Sequence, residues 1–404
     1  MGRTKRKRRG PVAEPAPAPA PAAAAASLLG SDDLLAEILV RLDLPTWLVR
    51  AALVCRRWLR AASGPAFLRR FRALHRPRVL ALRVNGAGFG CRPRSLPLRQ
   101  PPGLAAAARR ALAALRRSDV CDCRNGRLLV SIDDPNNPAT PTTYAVRSLL
   151  RAAARDEPIP QPPRPCTKRL LRDSTGTCNG RLLCLLEDDA DDTSCLCLNM
   201  SYNNEEFGAD FSFLQSGVWG AMRTSVTQLP QRMYDTIIAQ KLFVGRKFYM
   251  TTTLGYILGL DLATATFFTV KLPDGIRNST SFRLSRSQHQ QPGIYLVVAK
   301  GFGLHVWHGD GMGQWALVDT ISVPKACARL NVRRWVPSDA QTAPVLVLAA
   351  GEDADFVFLE LVASGIVCCI QLSNRAVERV DPSIAEDFVR PVMMVWPPVF
   401  PVLN

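Results

Sequence analysis

A short pattern recurs along the last three quarters of the chain. The string Asn-Gly-Arg-Leu-Leu occurs at residues 125–129 and again at 179–183. Looser versions follow at 244–249, 291–296 and 343–347. An Asn-Gly pair between apolar alternations is a strong signal for a β-hairpin. Recurrence at a period of about 40–50 residues or more, with several short strands in each, is typical of propeller blades. Residues 78–404 have room for about six such blades.

Alternating apolar residues support this prediction. The segment 78–84 alternates as a strand would. Three later strand–turn–strand pairs are 256–262 with 266–273, 304–307 with 315–318, and 356–361 with 366–372. The segment 105–117 is helix-like in composition and is interpreted as a loop insertion, and residues 131–172 are so weakly patterned that we expect a degraded blade.

The preceding segment has a different period. Ser31 is a good helix N-cap, and Asp32 and Asp33 suit the positive end of a helix dipole. Apolar residues then share one helical face: Leu34, Leu35, Ile38, Leu39 and Leu42. Pro45 suits the first turn of a second helix, and a third begins near Phe67. We predict a small all-α module over residues 29–76, which can barely form a core alone.

The string from Ser31 to Phe71 resembles the F-box of large plant F-box families. The matching positions are Leu34, Leu35, Ile38, Leu39, Leu42, Leu48, Val54, Cys55, Arg56 and Trp58. The sequence departs from the motif at Gly30-Ser31, where Leu-Pro or Ile-Pro is usual, although Ser31 can cap the same helix start. The alternative is a generic helical hairpin packed on the second domain.

The resemblance implies a partner, because F-boxes bind the adaptor subunit of an SCF-type cullin-RING ubiquitin ligase and, through it, a cullin. By position in the motif, the adaptor-facing residues are expected to be Ser31, Leu34, Leu35, Ile38, Leu39, Pro45 and Leu48. The residues expected to hold the helices together are Leu42, Val54, Cys55 and Trp58.

The remainder resembles the F-box-associated β-propeller of grass F-box proteins. The segments that carry this resemblance are 123–129, 234–237, 257–262 and 315–321. The two resemblances together imply a multidomain protein: a disordered basic Ala/Pro-rich tail over residues 1–28, the helical F-box module, and an all-β propeller of about six blades over 78–404.

The net positive charge of the chain comes from its first 120 residues. Residues 1–120 carry 24 Lys and Arg against 6 Asp and Glu, hence 24 − 6 = +18, whereas residues 121–404 carry 27 against 28, hence −1. This distribution argues against direct nucleic-acid binding, which needs a basic face. The sequence holds no unbroken apolar run long enough to cross a membrane, so no membrane association is expected.

The basic start of the chain has three interpretations. Its cluster Lys5, Arg6, Lys7, Arg8 and Arg9 is typical of a nuclear-import signal, and a solvated basic tail is the equal alternative. An organellar transit peptide is the third. A secretory signal would need an uninterrupted apolar core, and prolines and Glu14 interrupt the apolar residues of this segment. We expect a location in the nucleus, the cytoplasm or both.

The twelve cysteines are interpreted as buried free thiols of a reducing compartment. Their spacings are C-x-C or adjacent, and no C-x-x-C occurs, so neither a metal nor another cofactor is predicted. His305 and His308 lie on a predicted strand, which would put them on opposite faces. The sequence has no phosphate-binding loop and no nucleophile motif.

We therefore expect a non-catalytic substrate receptor of a ubiquitin ligase, with helices that bind the adaptor and a propeller that binds an unidentified client protein. One alternative is a protein-interaction module that keeps the F-box shape without joining a ligase. The other is an enzyme with an active site in the propeller, for which convergent titratable groups would be needed.

Overall fold

The computed structural model describes residues 31–75, 78–85, 94–115, 119–124, 127–132, 141–148, 156–164, 178–186, 193–203, 205–230, 240–252, 255–276, 281–287, 293–351, 354–380 and 388–394. The predicted tail and the basic cluster Lys5–Arg9 lie outside these ranges. The described residues form two compact units, one ending at His75 and the other beginning at Arg78. None of the helices in these ranges is both long and apolar enough to cross a membrane.

The first unit consists of four short helices. They are α1 (Asp32–Val40), α2 (Pro45–Ala52), α3 (Arg56–Ser63) and α4 (Pro65–Leu74). Both α2 and α4 begin at a proline, whose fixed φ suits a first helical turn and whose missing N–H costs no helical hydrogen bond there. Helix α3 packs against each of the other three, and α1 also packs against α4.

The second unit is a six-bladed β-propeller. Blade 1 contains β1 (Val79–Asn85), β2 (Arg94–Pro97) and β24 (Phe388–Met393). Blade 2 contains β3 (Asp119–Arg124), β4 (Arg127–Ile132), β5 (Thr143–Ser148) and β6 (Glu157–Ile159). Blade 3 contains β7 (Cys178–Leu185), β8 (Cys195–Tyr202), β9 (Glu206–Gln215), β10 (Val218–Trp219) and β11 (Arg223–Gln228).

The other three blades have four described strands each. Blade 4 contains β12 (Lys241–Val244), β13 (Lys247–Thr251), β14 (Tyr256–Asp261) and β15 (Thr266–Lys271). Blade 5 contains β16 (Ser281–Ser287), β17 (Gly293–Lys300), β18 (Gly303–Gly309) and β19 (Trp315–Ser322). Blade 6 contains β20 (Val345–Ala350), β21 (Phe356–Leu361), β22 (Ile366–Gln371) and β23 (Val377–Arg379). Helix α5 (Pro102–Ala114) lies between β2 and β3, and the one-turn helix α6 (Val323–Ala326) follows β19.

Strand β24 closes the ring. It pairs antiparallel with β1, with Val392 opposite Ala81 and Val389 opposite Val84. It also lies between the first strands of its two neighbouring blades, β20 and β3. The last described strand is therefore the innermost strand of the first blade.

The core is distributed between the blades. Six apolar clusters each join one pair of neighbouring blades, for example blades 5 and 6 through Val297, Val306, Val347 and Leu359. The other five clusters join blades 3 and 4, 6 and 1, 1 and 2, 2 and 3, and 4 and 5. Since each blade contributes to two of these layers, its strands are buried on both faces.

The recurring pattern does not mark the same position in each blade. Gly245, with φ +58°, forms the tight turn between β12 and β13, as predicted. Asn179 and Gly180, in contrast, belong to strand β7 and pair with Ser201 and Met200 of β8. The prediction of a turn there is wrong, because the backbone of this segment is used in the ladder.

Two weaker predictions have different outcomes. Residues 131–172 were expected to form a degraded blade, yet they supply β5 and β6 of a four-stranded sheet. The helix-like segment 105–117 largely coincides with α5.

All the cysteines that the structure describes are free, and most are buried, as the sequence suggested. Cys195 and Cys197 pack in one cluster between blades 2 and 3. Cys121 contacts that same cluster, but Cys123 contacts the cluster between blades 1 and 2. The thiols of Cys121 and Cys123 therefore point to opposite faces of the sheet. A register shift lies between Val120 and Asp122, in the same part of the strand.

An ion pair in blade 2 joins β5 to Asp156, the residue just before β6. Arg147 donates two hydrogen bonds to the Asp156 carboxylate, at 2.8 and 2.6 Å. The bond from Arg147 lowers the pKa of Asp156. This contribution to stability is present above the ordinary pKa of Asp, about 4, and is lost as the pH falls through the lower pKa of the folded state.

We expect Asp156→Asn to lower the free energy of unfolding at pH 7 by about 1 kcal/mol, since both side chains are partly exposed. The difference from wild type should shrink when urea titrations are repeated toward pH 3. Asp274→Asn removes an almost fully exposed partner of Lys271 and should change stability little at either pH. A pH-independent effect of Asp156→Asn would contradict this account.

Candidate functional site

Helix α1 has two adjacent apolar stripes. Leu35 and Leu39 are completely buried, whereas Leu34 and Ile38 are 41% and 44% exposed. Both pairs have i, i+4 spacing, so each forms one stripe, and the stripes are rotated by about 100° from one another. One stripe therefore holds α1 in the helical unit while the other remains on the surface.

The start of α1 is fixed by its cap and by ion pairs. The Ser31 hydroxyl accepts a hydrogen bond from Leu34 N at 3.5 Å, as the sequence predicts. Arg57 of α3 donates to Asp32 at 2.7 Å. Arg70 of α4 binds both carboxylate oxygens of Glu37, and this hydrogen bonding lowers the pKa of Glu37. These contacts orient the exposed stripe relative to the rest of the unit.

The structure corrects part of the predicted partner-facing set. Leu35, Leu39 and Leu48 have no exposed surface and serve as packing residues. Position in the motif predicts that they face the adaptor, but it does not show which side of each helix is buried. Phe71 is completely buried as well, so α4 contributes the missing core. Pro45 occupies the first turn of α2, as predicted.

The predicted packing residues are corrected as well. Val54 is 66% exposed and Cys55 is exposed, because both lie on the connection between α2 and α3. Leu42 and Trp58 are half-buried. The described unit is held together instead by residues such as Leu59, Ala62 and Phe71.

Two exposed apolar residues were missed by the sequence interpretation. Trp47 is 46% exposed on α2, and Leu53 is 70% exposed just after this helix. With Leu34, Ile38 and Val54 they place five exposed apolar side chains on α1, α2 and the following turn. A large exposed aromatic residue near a helix start was the available signal, since tryptophan is enriched in protein interfaces.

The propeller contains a central cavity of about 770 Å³. It is lined by residues of the innermost strands β24, β3, β7, β12, β16 and β20. On β20 five consecutive apolar residues line the cavity, from Leu346 to Ala350. Val347 and Ala349 are buried, and Leu346, Leu348 and Ala350 are half-buried. An apolar strip therefore runs along the blade 6 side of the cavity.

Cationic side chains outnumber carboxylates around this cavity. Of the side chains that the structure describes there, the cations are Arg124, Lys241, Arg283, Arg286 and Arg390, and the carboxylates are Asp122 and Glu360. Asp122 is paired with Arg124 at 3.1 Å and also accepts from Leu185 N at 2.9 Å. Arg124 in addition lies over the Phe243 ring, 5.2 Å from its centroid. These two residues form an internal contact between blades.

His305 and His308 both lie on β18. The ring of His308 packs edge-on against Tyr295, with centroids 4.8 Å apart. In the described ranges, no group of three or more His, Cys, Asp or Glu side chains is close enough to hold a metal ion. His308 thus has a packing role in blade 5.

Both units match models of known families. The family model described as F-box-like matches residues 32–73. The model described as F-box protein AT5G49610-like, beta-propeller matches residues 119–400, which is more than half of the chain. The sequence matches no curated protein.

The chain has distant similarity to several solved structures. The chain resembles apo AztD from Citrobacter koseri with 10% identity and a TM-score of 0.29, over 67% of this chain and 61% of that chain. It resembles the N-terminal domain of Nup159 with 13% identity and a TM-score of 0.29, over 65% of this chain and 60% of that chain. The chain thus spans about 60% of the length of these two structures.

Proposed function

Since the chain belongs to the F-box proteins with an AT5G49610-like β-propeller, a plant-type F-box family, we propose that it is a substrate receptor of an SCF-type cullin-RING ubiquitin ligase. The helical unit binds the adaptor subunit, and through it the cullin. The propeller binds the client protein, which is then ubiquitinated. No catalytic residue is assigned to the receptor itself.

The observation that carries this proposal is the exposed stripe of α1. Leu34 and Ile38 keep more than two fifths of their surface exposed although neighbouring Leu35 and Leu39 are fully buried. Exposed apolar side chains at helical spacing are typical of a helix that packs against a partner. The stripe lies within the residues that match the F-box-like model.

The mechanism is one of proximity. A receptor that binds the adaptor and the client at once raises the effective concentration of the client near the charged ubiquitin carrier. Such a receptor needs two separate binding surfaces and no nucleophile. The helical unit and the propeller supply two candidates for these surfaces.

The test is direct binding of the full chain to the purified adaptor subunit, measured by co-elution in size-exclusion chromatography and by calorimetry. We expect a one-to-one complex that also recruits the cullin. Circular dichroism of the same sample confirms that the chain is folded. A folded chain that does not bind the adaptor would support the alternative, an interaction module that does not assemble into a ligase.

We propose a location in the nucleus, the cytoplasm or both. The free thiols of the described residues suit a reducing compartment. The basic cluster Lys5–Arg9 supplies the proposed import signal. Exclusion from the nucleus after replacement of these five residues by alanine, in a fluorescent fusion, supports the import role, and unchanged nuclear entry contradicts it.

A further inference from the structure

We propose that the central cavity of the propeller binds a short acidic segment of the client chain that also carries apolar side chains. This inference rests on the proposed receptor function and names the chemistry of its client. Three features of the cavity support it: an excess of cations among the described residues, guanidinium groups that donate to backbone carbonyls, and the apolar strip on β20.

The excess of positive charge is local. Residues 121–404 carry 27 cationic and 28 anionic side chains in total, yet among the described residues the cavity has five cations against two carboxylates. One of these carboxylates, Asp122, is already bonded to Arg124. The other carboxylate is Glu360, and burial raises its pKa. Among the described residues, the net charge around the cavity is therefore positive.

Backbone carbonyls orient two of the remaining guanidinium groups. Arg283 donates to Leu348 O and to Phe282 O, both at 2.9 Å. Arg390 donates to Cys121 O. A carbonyl fixes the direction of a guanidinium but does not cancel its charge, so each retains a full positive charge for a ligand carboxylate.

Like charges meet inside the cavity. Lys241 of β12 and Arg390 of β24 line the same cavity, although these strands belong to blades 4 and 1. Burial, and after it the charge of Arg390, lowers the pKa of Lys241. An anion between the two groups would replace this repulsion with attraction, and the effect is strong because a cavity is poorly screened.

The apolar strip distinguishes an acidic peptide from a small inorganic anion. Leu346, Leu348 and Ala350 lie on blade 6, between the blades that carry Arg283 and Arg390. A small anion would use only the cations, whereas a peptide with alternating acidic and apolar side chains would use both. A cavity of 770 Å³ is within the usual range of about 300–1,000 Å³ for sites that enclose a ligand.

The test uses fluorescein-labelled peptides and the full chain, with fluorescence anisotropy as the readout. We expect a hexapeptide of alternating glutamate and leucine to bind, with an affinity that falls as salt is added. The matched peptide of alternating glutamine and leucine should bind about tenfold more weakly or not at all. Tripolyphosphate is the small-anion probe and should compete only weakly.

Variants locate the binding in the cavity. Lys241→Gln should weaken acidic-peptide binding about tenfold, and Lys241→Glu should abolish it. Lys325→Gln changes an exposed lysine of α6 outside the cavity and should have no effect. Thermal unfolding of each variant confirms that the propeller is intact. A folded Lys241→Glu chain that binds the acidic peptide as well as wild type overturns the proposal.

Three other results would also contradict the proposal. Equal binding of the acidic and neutral peptides, no binding of either, or binding of tripolyphosphate without the peptide each overturns it. Adaptor binding is measured on the same samples. A chain that binds the adaptor but not the peptide disproves only the cavity assignment, whereas one that binds the peptide but not the adaptor disproves only the ligase function.

Discussion

A chain that carries Leu34→Asp and Ile38→Asp is expected to lose adaptor binding by about a hundredfold or more while its fold is retained. Both side chains are more than two fifths exposed, so aspartate remains hydrated there in the free protein. In the complex, the two carboxylates would be transferred from water into an apolar contact without partners, which is strongly unfavourable. Calorimetric titration of the adaptor into the variant measures the loss.

The neighbouring residue provides the control. Leu35→Asp puts a carboxylate at a completely buried position of the same helix, so it should unfold the helical unit. The double surface variant should keep the wild-type circular dichroism spectrum, whereas Leu35→Asp should lose helical signal. Undiminished binding by the double surface variant would show that another face of the unit contacts the adaptor.

Val392→Asp is expected to have the largest effect on the propeller. Val392 is completely buried on β24 and packs in the layer between blades 1 and 2, with Leu115 and Val130. An unpaired carboxylate there should lower the free energy of unfolding by about 4 kcal/mol or more. That is a large part of the roughly 5–15 kcal/mol that keeps a protein folded.

A matched control places the same substitution at an exposed position, so that any difference in stability reflects burial. Val318 lies on β19 and is 53% exposed, so Val318→Asp should change stability by no more than about 0.5 kcal/mol. Urea unfolding followed by tryptophan fluorescence compares the two variants. Similar stabilities would mean that the closing strand contributes little to the ring.

The sequence predicts the number of blades but not which segment forms which strand of a blade. The recurring pattern combines an Asn-Gly pair with apolar residues, and this combination occurs at different strand positions in different blades. Residues 125–129 overlap the second strand of blade 2, whereas 179–183 belong to the first strand of blade 3. Strand position within a blade depends on which segments pair across the ring, and local pattern does not contain that information.

The helical unit shows the same limit on a smaller scale. Periodicity identified the apolar residues of α1 but could not divide them between Leu35 and Leu39 inside and Leu34 and Ile38 outside. That division depends on the packing of α1 against α3 and α4, and Phe71 of α4 is completely buried. The cavity cations were missed for a related reason: Lys241, Arg283 and Arg390 are far apart in sequence, and only ring closure brings them together.

The pairing of β24 with β1 also sets an order of events during synthesis. The helical unit leaves the ribosome first, and its four described helices pack against one another. Strand β1 follows soon after, but its partner β24 emerges only near the end of the chain. Domains tend to fold as they are made, from the N-terminus onward. The four helices can therefore pack while the ring is still open, and a chain that terminates before β24 lacks the strand that closes the ring.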